Sequence, residues 1–129
     1  MTGLRGETSI SGQVVDAALK VHLVLGPGLL ESAYRTCLVH ELRDRGCEVI
    51  EESALPVVYR GIRLDAGYRL DLLVNGTVVV ELKAVPRLLP IHEAQLLSYL
   101  RLSGHTVGLL INFHVPRLKD GIRRMIQTR

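Results

Sequence analysis

The sequence predicts an α/β domain, a mixed β-sheet flanked by helices on both faces, in the order α-α-β-β-β-β-α-β-α. Three observations predict it. Ile10, Val14, Ala17, Val21 and Leu25 fall at helical spacing and mark one buried stripe. Tyr68 to Val85 reads as two strands, runs of β-branched and aliphatic residues that meet at the turn dipeptide Asn75-Gly76. A helix from Ile91 to Ser103 then separates that hairpin from another apolar run, Thr106 to Phe113, so the last strand lies behind a crossover.

Taken in order, residues 1 to 6 are expected to fray, and Thr8 or Ser9 to cap a first helix running to Leu25. His22 lies beside its stripe and is expected to be a hydrogen-bonded core residue. Gly26-Pro27-Gly28 ends that helix, and a second follows from Leu29 to Arg45 with Gly46 as its C-terminal glycine. Glu48 to Tyr59 reads as a strand, with Glu51-Glu52-Ser53 as an exposed or bulged portion and Pro56 tolerable only on an edge, and Gly61 to Leu64 as its short hairpin partner. Asp65-Ala66-Gly67 gives a turn before the central hairpin.

Pro86 stops the hairpin's second strand, and Pro90 suits the first turn of the next helix. That helix carries Ala94, Leu97 and Leu100 on one side and a polar stripe of His92, Gln95 and Tyr99 on another. Thr106 to Phe113 is a buried strand, and Arg117 to Gln127 is expected to close the chain as a basic helix with Lys119, Arg123 and Arg124.

Composition bounds the function. With 129 residues, 47% of them hydrophobic, the chain is expected to form one domain over residues 1–129. A formal charge of +3 and a pI of about 9.1 lean mildly toward an anionic partner. One Phe, four Tyr and no Trp argue against a base-stacking platform, so nucleic acid would be held mostly through its phosphates. Cys37 and Cys47 lack metal-ligand spacing and read as free thiols. No signal peptide or membrane-length apolar run is present, and the expected location is cytoplasmic without a membrane partner. GxGxxG, Walker A and GxSxG patterns are absent; His92-Glu93 lacks the second histidine of a zinc-protease motif, because position 96 is Leu.

Three ions interrupt the apolar hairpin: Asp71, Glu81 and Lys83. Charges inside such strands cost on the order of several kcal/mol unless paired or bound to something. Period two sends Glu81 and Lys83 to one face. A strict two-residue loop would set Asp71 against Val80, on the wrong face. An odd loop, Val74-Asn75-Gly76 with Gly76 left-handed, pairs Asp71 with Val79, diagonally beside Glu81. Two carboxylates and an ammonium would then converge, enough to hold a hard divalent cation and to orient water.

Asp71 followed by Glu81-Leu82-Lys83 resembles the D…ExK signature of the PD-(D/E)XK nuclease superfamily, which has the restriction-endonuclease-like fold. Gly28-Leu-Leu-Glu31-Ser-Ala-Tyr34 resembles the motif of the GxxExxY family, a branch of it. His92 to Leu100 and Gly108 to Gly121 resemble that family too, so the likeness spans residues 8 to 127.

The resemblance implies that Asp71, Glu81 and the carbonyl of Leu82 bind Mg²⁺ or Mn²⁺, with Lys83 beside the attacking water. It also implies that Glu31 leans over the sheet, where its simpler role is a first-turn carboxylate favoured by the helix dipole. Gln95 would face the metal site rather than stay in an exposed polar stripe. Tyr34 is either a packed ring tethered by its hydroxyl or, with Tyr99, a nucleic-acid contact. Arg60, Arg63 and Arg69 are the candidate phosphate contacts. The implied activity is hydrolysis of phosphodiesters in nucleic acid, DNA first. A homodimer is compatible with the fold, whose small members often pair. Two other readings use the same residues: a catalytically silent nucleic-acid-binding module, and a small interaction protein whose Lys83 neutralises a carboxylate.

Overall fold

The computed structural model describes residues 3–64 and 67–128, with side chains from Ile10 onward. Helix α1 (Gly3–Leu25) and helix α2 (Glu31–Asp44) precede strands β1 (Val49–Ala54), β2 (Val57–Tyr59), β3 (Ile62–Leu64), β4 (Arg69–Val74) and β5 (Val78–Lys83). Helix α3 (Pro90–Ser103), strand β6 (Val107–Asn112), a 3-10 turn (Leu118–Gly121) and strand β7 (Ile122–Ile126) complete the chain.

Five strands form the main sheet in the order β1-β4-β5-β6-β7. Only β5 and β6 run parallel, as the α3 crossover between them requires. The sheet is therefore mixed and flanked by helices, the α/β architecture of a restriction-endonuclease-like domain.

Alternation along the strands divides the core into two layers. Leu72, Val74, Val78, Val80 and Leu82 face α1 and α2, against Val14, Ala17, Tyr34 and Leu38. Val79 and Leu110 face α3, against Leu96 and Leu100. Helix α3 sits close to the sheet because β6 has no side chain at Gly108, where an added Cβ would come within 3.0 Å of Leu96 Cδ1. The close approach sets the height of Gln95 and Tyr99 above the sheet.

Four expectations are corrected. The region from Glu48 to Tyr59 is two strands, because Pro56 has no N–H to continue a ladder; β2 leaves the main sheet and pairs only with β3. The tail is not a helix: after one 3-10 turn, Ile122 packs on the α1/α2 side and Met125 on the α3 side, and β7 pairs antiparallel with β6. In α3 the buried pair is Leu96 and Leu100, one turn apart, while Ala94 is exposed. Helix α1 already runs from Gly3, so Thr8 and Ser9 are not its N-terminal boundary; their side chains lie outside the described set. The turn expected at Asp65-Ala66-Gly67 falls at 65 and 66 outside the described residues.

His22 is buried and bonded to the Val115 carbonyl at 2.8 Å, a satisfied core histidine. Both cysteines are free.

Candidate active site

Strands β4 and β5 are joined by an odd loop, Asn75-Gly76-Thr77, between the paired residues Val74 and Val78. Asn75 (φ 51°) and Gly76 (φ 66°) take the two left-handed positions, and Thr77 N–H closes the turn on Val74 O at 3.0 Å. The extra residue is thus Thr77 rather than Val74, a one-residue difference from the sequence-based expectation. Continued by one step, the observed register sets Asp71 directly across from Glu81, not across from Val79.

At that step the backbone ladder stops and the two side chains take over. Glu81 Oε2 accepts the Asp71 N–H at 2.9 Å, and Asp71 Oδ2 accepts the Leu82 N–H at 2.9 Å. Each carboxylate is fixed by the peptide of the opposite strand, so both are held in the opening where β4 and β5 part. Glu81 is 5% exposed, whereas Asp71 and Lys83 are half-buried and reachable by water.

The electrostatics of the pair are unfavourable as it stands. Burial, then the Asp71 charge, push the Glu81 carboxyl up from 4.5 to about 8, against the lowering effects of the Asp71 backbone bond and Lys83. Glu31, in the first turn of α2, is also raised, by burial and then by Asp71, with Lys83 and Arg35 opposing. Glu31 therefore belongs to the electrostatic neighbourhood of the pair. Lys83 makes no ion pair within 4.0 Å with a described carboxylate, so its charge acts across the site without closing onto one partner.

From the other side α3 contributes Tyr99, whose phenol is raised by burial and then by the Glu81 charge. Gln95 donates Nε2–H to Tyr99 Oη at 3.1 Å. Tyr99 meets Tyr68 edge to face, ring centroids 6.3 Å apart. Tyr68 is the residue that sequence reasoning missed; its place three residues before Asp71, at the mouth of the hairpin, was the available signal.

Tyr68 also lines a concavity with Arg63 and Arg69. Arg60 sits at the tip of the β2–β3 ribbon, in a tight Arg60-Gly61 turn, and all three arginines are exposed.

Tyr34 is not at this surface. It is fully buried, stacked on Phe113 with centroids 4.5 Å apart, and its hydroxyl donates to Gly26 O (2.6 Å) while accepting from Leu29 N–H (3.0 Å). No face is left for nucleic acid; the ring locks the α1–α2 loop, in which Gly28 takes a φ of +101° that a larger residue resists. Glu31 starts its helix directly behind that lock. Tyr34→Phe should lower unfolding free energy by about 1 kcal/mol, since it removes the hydrogen-bond partner of a partly buried carbonyl and amide; denaturant titration measures it, and an unchanged midpoint would contradict the role.

The donor set suits a small hard cation. Among the described residues no group of three or more His, Cys, Asp or Glu side chains is assembled for a metal ion. Two carboxylates completed by backbone, water and substrate oxygens is the arrangement magnesium favours, because it dehydrates reluctantly. Zinc sites want more protein nitrogen or sulfur. The mutual repulsion of Asp71 and Glu81 is what a divalent charge would relieve.

A family model described as the PD-(D/E)XK nuclease superfamily matches residues 8–125. No curated protein and no solved structure matches the chain.

Proposed function

The chain belongs to the PD-(D/E)XK nuclease superfamily, and from that membership we propose that it is a Mg²⁺- or Mn²⁺-dependent nuclease of the GxxExxY branch, acting on DNA. Nucleases of this superfamily generally use divalent metal ions and bind nucleic acid. The observation that carries the proposal is the interlocked pair: Asp71 and Glu81 are fastened by backbone N–H groups in the gap between β4 and β5, with Lys83 on the same strand face as Glu81.

Asp71, Glu81 and the Leu82 carbonyl would hold the cation, which would supply Lewis-acid stabilisation of charge on the phosphate. The chain's own groups do the rest. Lys83 donates a hydrogen bond to the attacking water and stabilises the negative charge that develops on it as its proton passes to bulk solvent. Gln95, fixed by Tyr99, offers its carbonyl and second N–H to water or to a non-bridging phosphate oxygen. Glu31 adds negative charge over the same opening, drawing in the cation. Arg63 and Arg69 hold the neighbouring phosphates, and Arg60 a more distant one.

The test is incubation of purified protein with single- and double-stranded DNA and RNA, with Mg²⁺, Mn²⁺ or chelator. Cleavage of DNA only with metal is the expected result; no cleavage of any substrate under any condition sinks the proposal. Arg63→Ala and Arg69→Ala should each weaken binding across all sequences and reduce the slope of log affinity against log salt by about 1. Anisotropy titrations over a salt series read that slope, and an unchanged slope removes the arginines from the interface.

A further inference from the structure

Asp71 could not make its bond to Glu81 if β4 continued as an ordinary strand against β1. The β1–β4 register runs Val49–Val74, Ile50–Leu73, Glu51–Leu72, then resumes at Ser53–Leu70 and Ala54–Arg69. The one missing pair is Glu52 with Asp71, and no residue is inserted on either side. At that position Glu52 has φ +50°, a left-handed conformation inside a strand that glutamate has no intrinsic reason to adopt.

Both strands also change sides there. Val49 and Leu72 point into the layer under α1 and α2, whereas Leu55 and Leu70 point into the layer under α3. Residues of equal parity should share a face, so each strand has rolled over by one position at Glu52 and Asp71. The roll detaches the Asp71 peptide from β1. Its N–H then reaches Glu81 Oε2, and its carboxylate reaches the Leu82 N–H.

We propose that Glu52 is a positioning residue: its left-handed backbone breaks the β1–β4 ladder opposite Asp71 and so aims the Asp71 and Glu81 carboxylates at one point. The proposal rests on reading that pair as the cation-holding centre, and it concerns the backbone of Glu52, not its exposed charge. Strain held at such a position fits a functional site, where surrounding structure maintains a conformation the local sequence disfavours.

Substitution separates backbone from side chain. Glycine takes positive φ freely and asparagine tolerates it, whereas a β-branched residue resists it strongly. Glu52→Gly and Glu52→Asn should therefore keep the site, and Glu52→Val should pull the position back to extended geometry and rebuild the ladder. Two measurements read this in the full chain.

In metal-free protein, the amide resonances of Asp71 and Leu82 should be unchanged in Glu52→Gly and displaced in Glu52→Val. In calorimetric titration with Mn²⁺ alone, Glu52→Gly should stay within about twofold of wild type, and Glu52→Val should bind about tenfold or more weaker, a step of about 1.4 kcal/mol. Unchanged resonances and affinity in Glu52→Val overturn the proposal. So does an equal loss in Glu52→Gly, which would assign the effect to the carboxylate. If wild type binds no Mn²⁺ but the amide pattern holds, the positioning role stands and the metal-dependent reading fails.

Discussion

Asp71→Ala and Lys83→Ala are each expected to reduce cleavage by roughly 10²- to 10³-fold, the scale on which removal of one preorganised charge-stabilising group acts. The two should not differ in kind. In the proposed mechanism Asp71 would fix where the cation and phosphate sit, and Lys83 would supply charge where the attacking oxygen ionises; the double variant should be little worse than either single one, because groups that act as a unit are not additive. Asp71→Ala has one structural side effect, since the Leu82 N–H loses its acceptor in a half-buried place, at about 1 kcal/mol.

Asp71→Asn isolates the chemistry from that effect. Its Oδ1 can accept the same N–H, so geometry is kept while the charge goes, and it should be nearly as inactive as alanine with an unfolding midpoint close to wild type. Cleavage rates on one labelled substrate, together with circular dichroism and melting of each variant, decide the matter. Variants that cut as fast as wild type would remove these residues from catalysis.

Much of this arrangement could be read from the chain, and the reason is local. Asn75-Gly76 fixes a left-handed turn, the apolar runs either side fix two strands, and only an odd loop brings Asp71 to the side of Glu81 and Lys83. The residue identity of the loop slipped by one, yet the consequence survived, because both versions place the carboxylates on one side of the sheet.

What escaped the sequence shares a different cause. Strand β7 was hidden because an edge strand needs few apolar residues, and Arg123 and Arg124 between Ile122 and Ile126 look as helical as they do extended. Tyr34 could not be placed between packing and binding until Phe113, 79 positions later by their residue numbers, was seen stacked on it. At Glu52 the sequence marks only an exposed or bulged portion, Glu51-Glu52-Ser53: nothing in a glutamate signals positive φ, and only the surrounding sheet imposes it. The motif spacing from Gly28 through Glu31 to Tyr34 then acquires a physical meaning, with the glycine permitting the loop, the tyrosine locking it, and the acid directed toward the pair.

Without metal, the protein should lose stability as pH rises from about 5 to about 8, and Glu81→Gln should abolish most of that loss. The sign follows from linkage. Glu81 has a folded-state value of about 8 against 4.5 for the free side chain, so between those values the folded state holds a proton that the unfolded state has released. Stability therefore falls with pH across that window: the favourable state is fully present below about 4.5 and is lost as pH climbs through about 8. Glu31, raised for the same reasons, adds in the same direction.

For a side chain 5% exposed the total is on the order of a few kcal/mol. Glutamine at position 81 carries no charge to desolvate, and its carbonyl can still accept the Asp71 N–H, so the variant should be flatter in pH and more stable than wild type at about pH 8. Divalent cation should act on only one of the two proteins. On the proposed reading it would bind only the folded, deprotonated wild-type site and should restore about 2.7 kcal/mol at a hundredfold excess over its dissociation constant, while leaving Glu81→Gln nearly unmoved. Denaturant unfolding in chelator and in Mn²⁺, at three pH values across the window, measures all four slopes. A wild type as stable at about pH 8 as at about pH 5 in chelator, or a glutamine variant with the same slope, would mean that Glu81 is not the strained carboxylate on which the site depends.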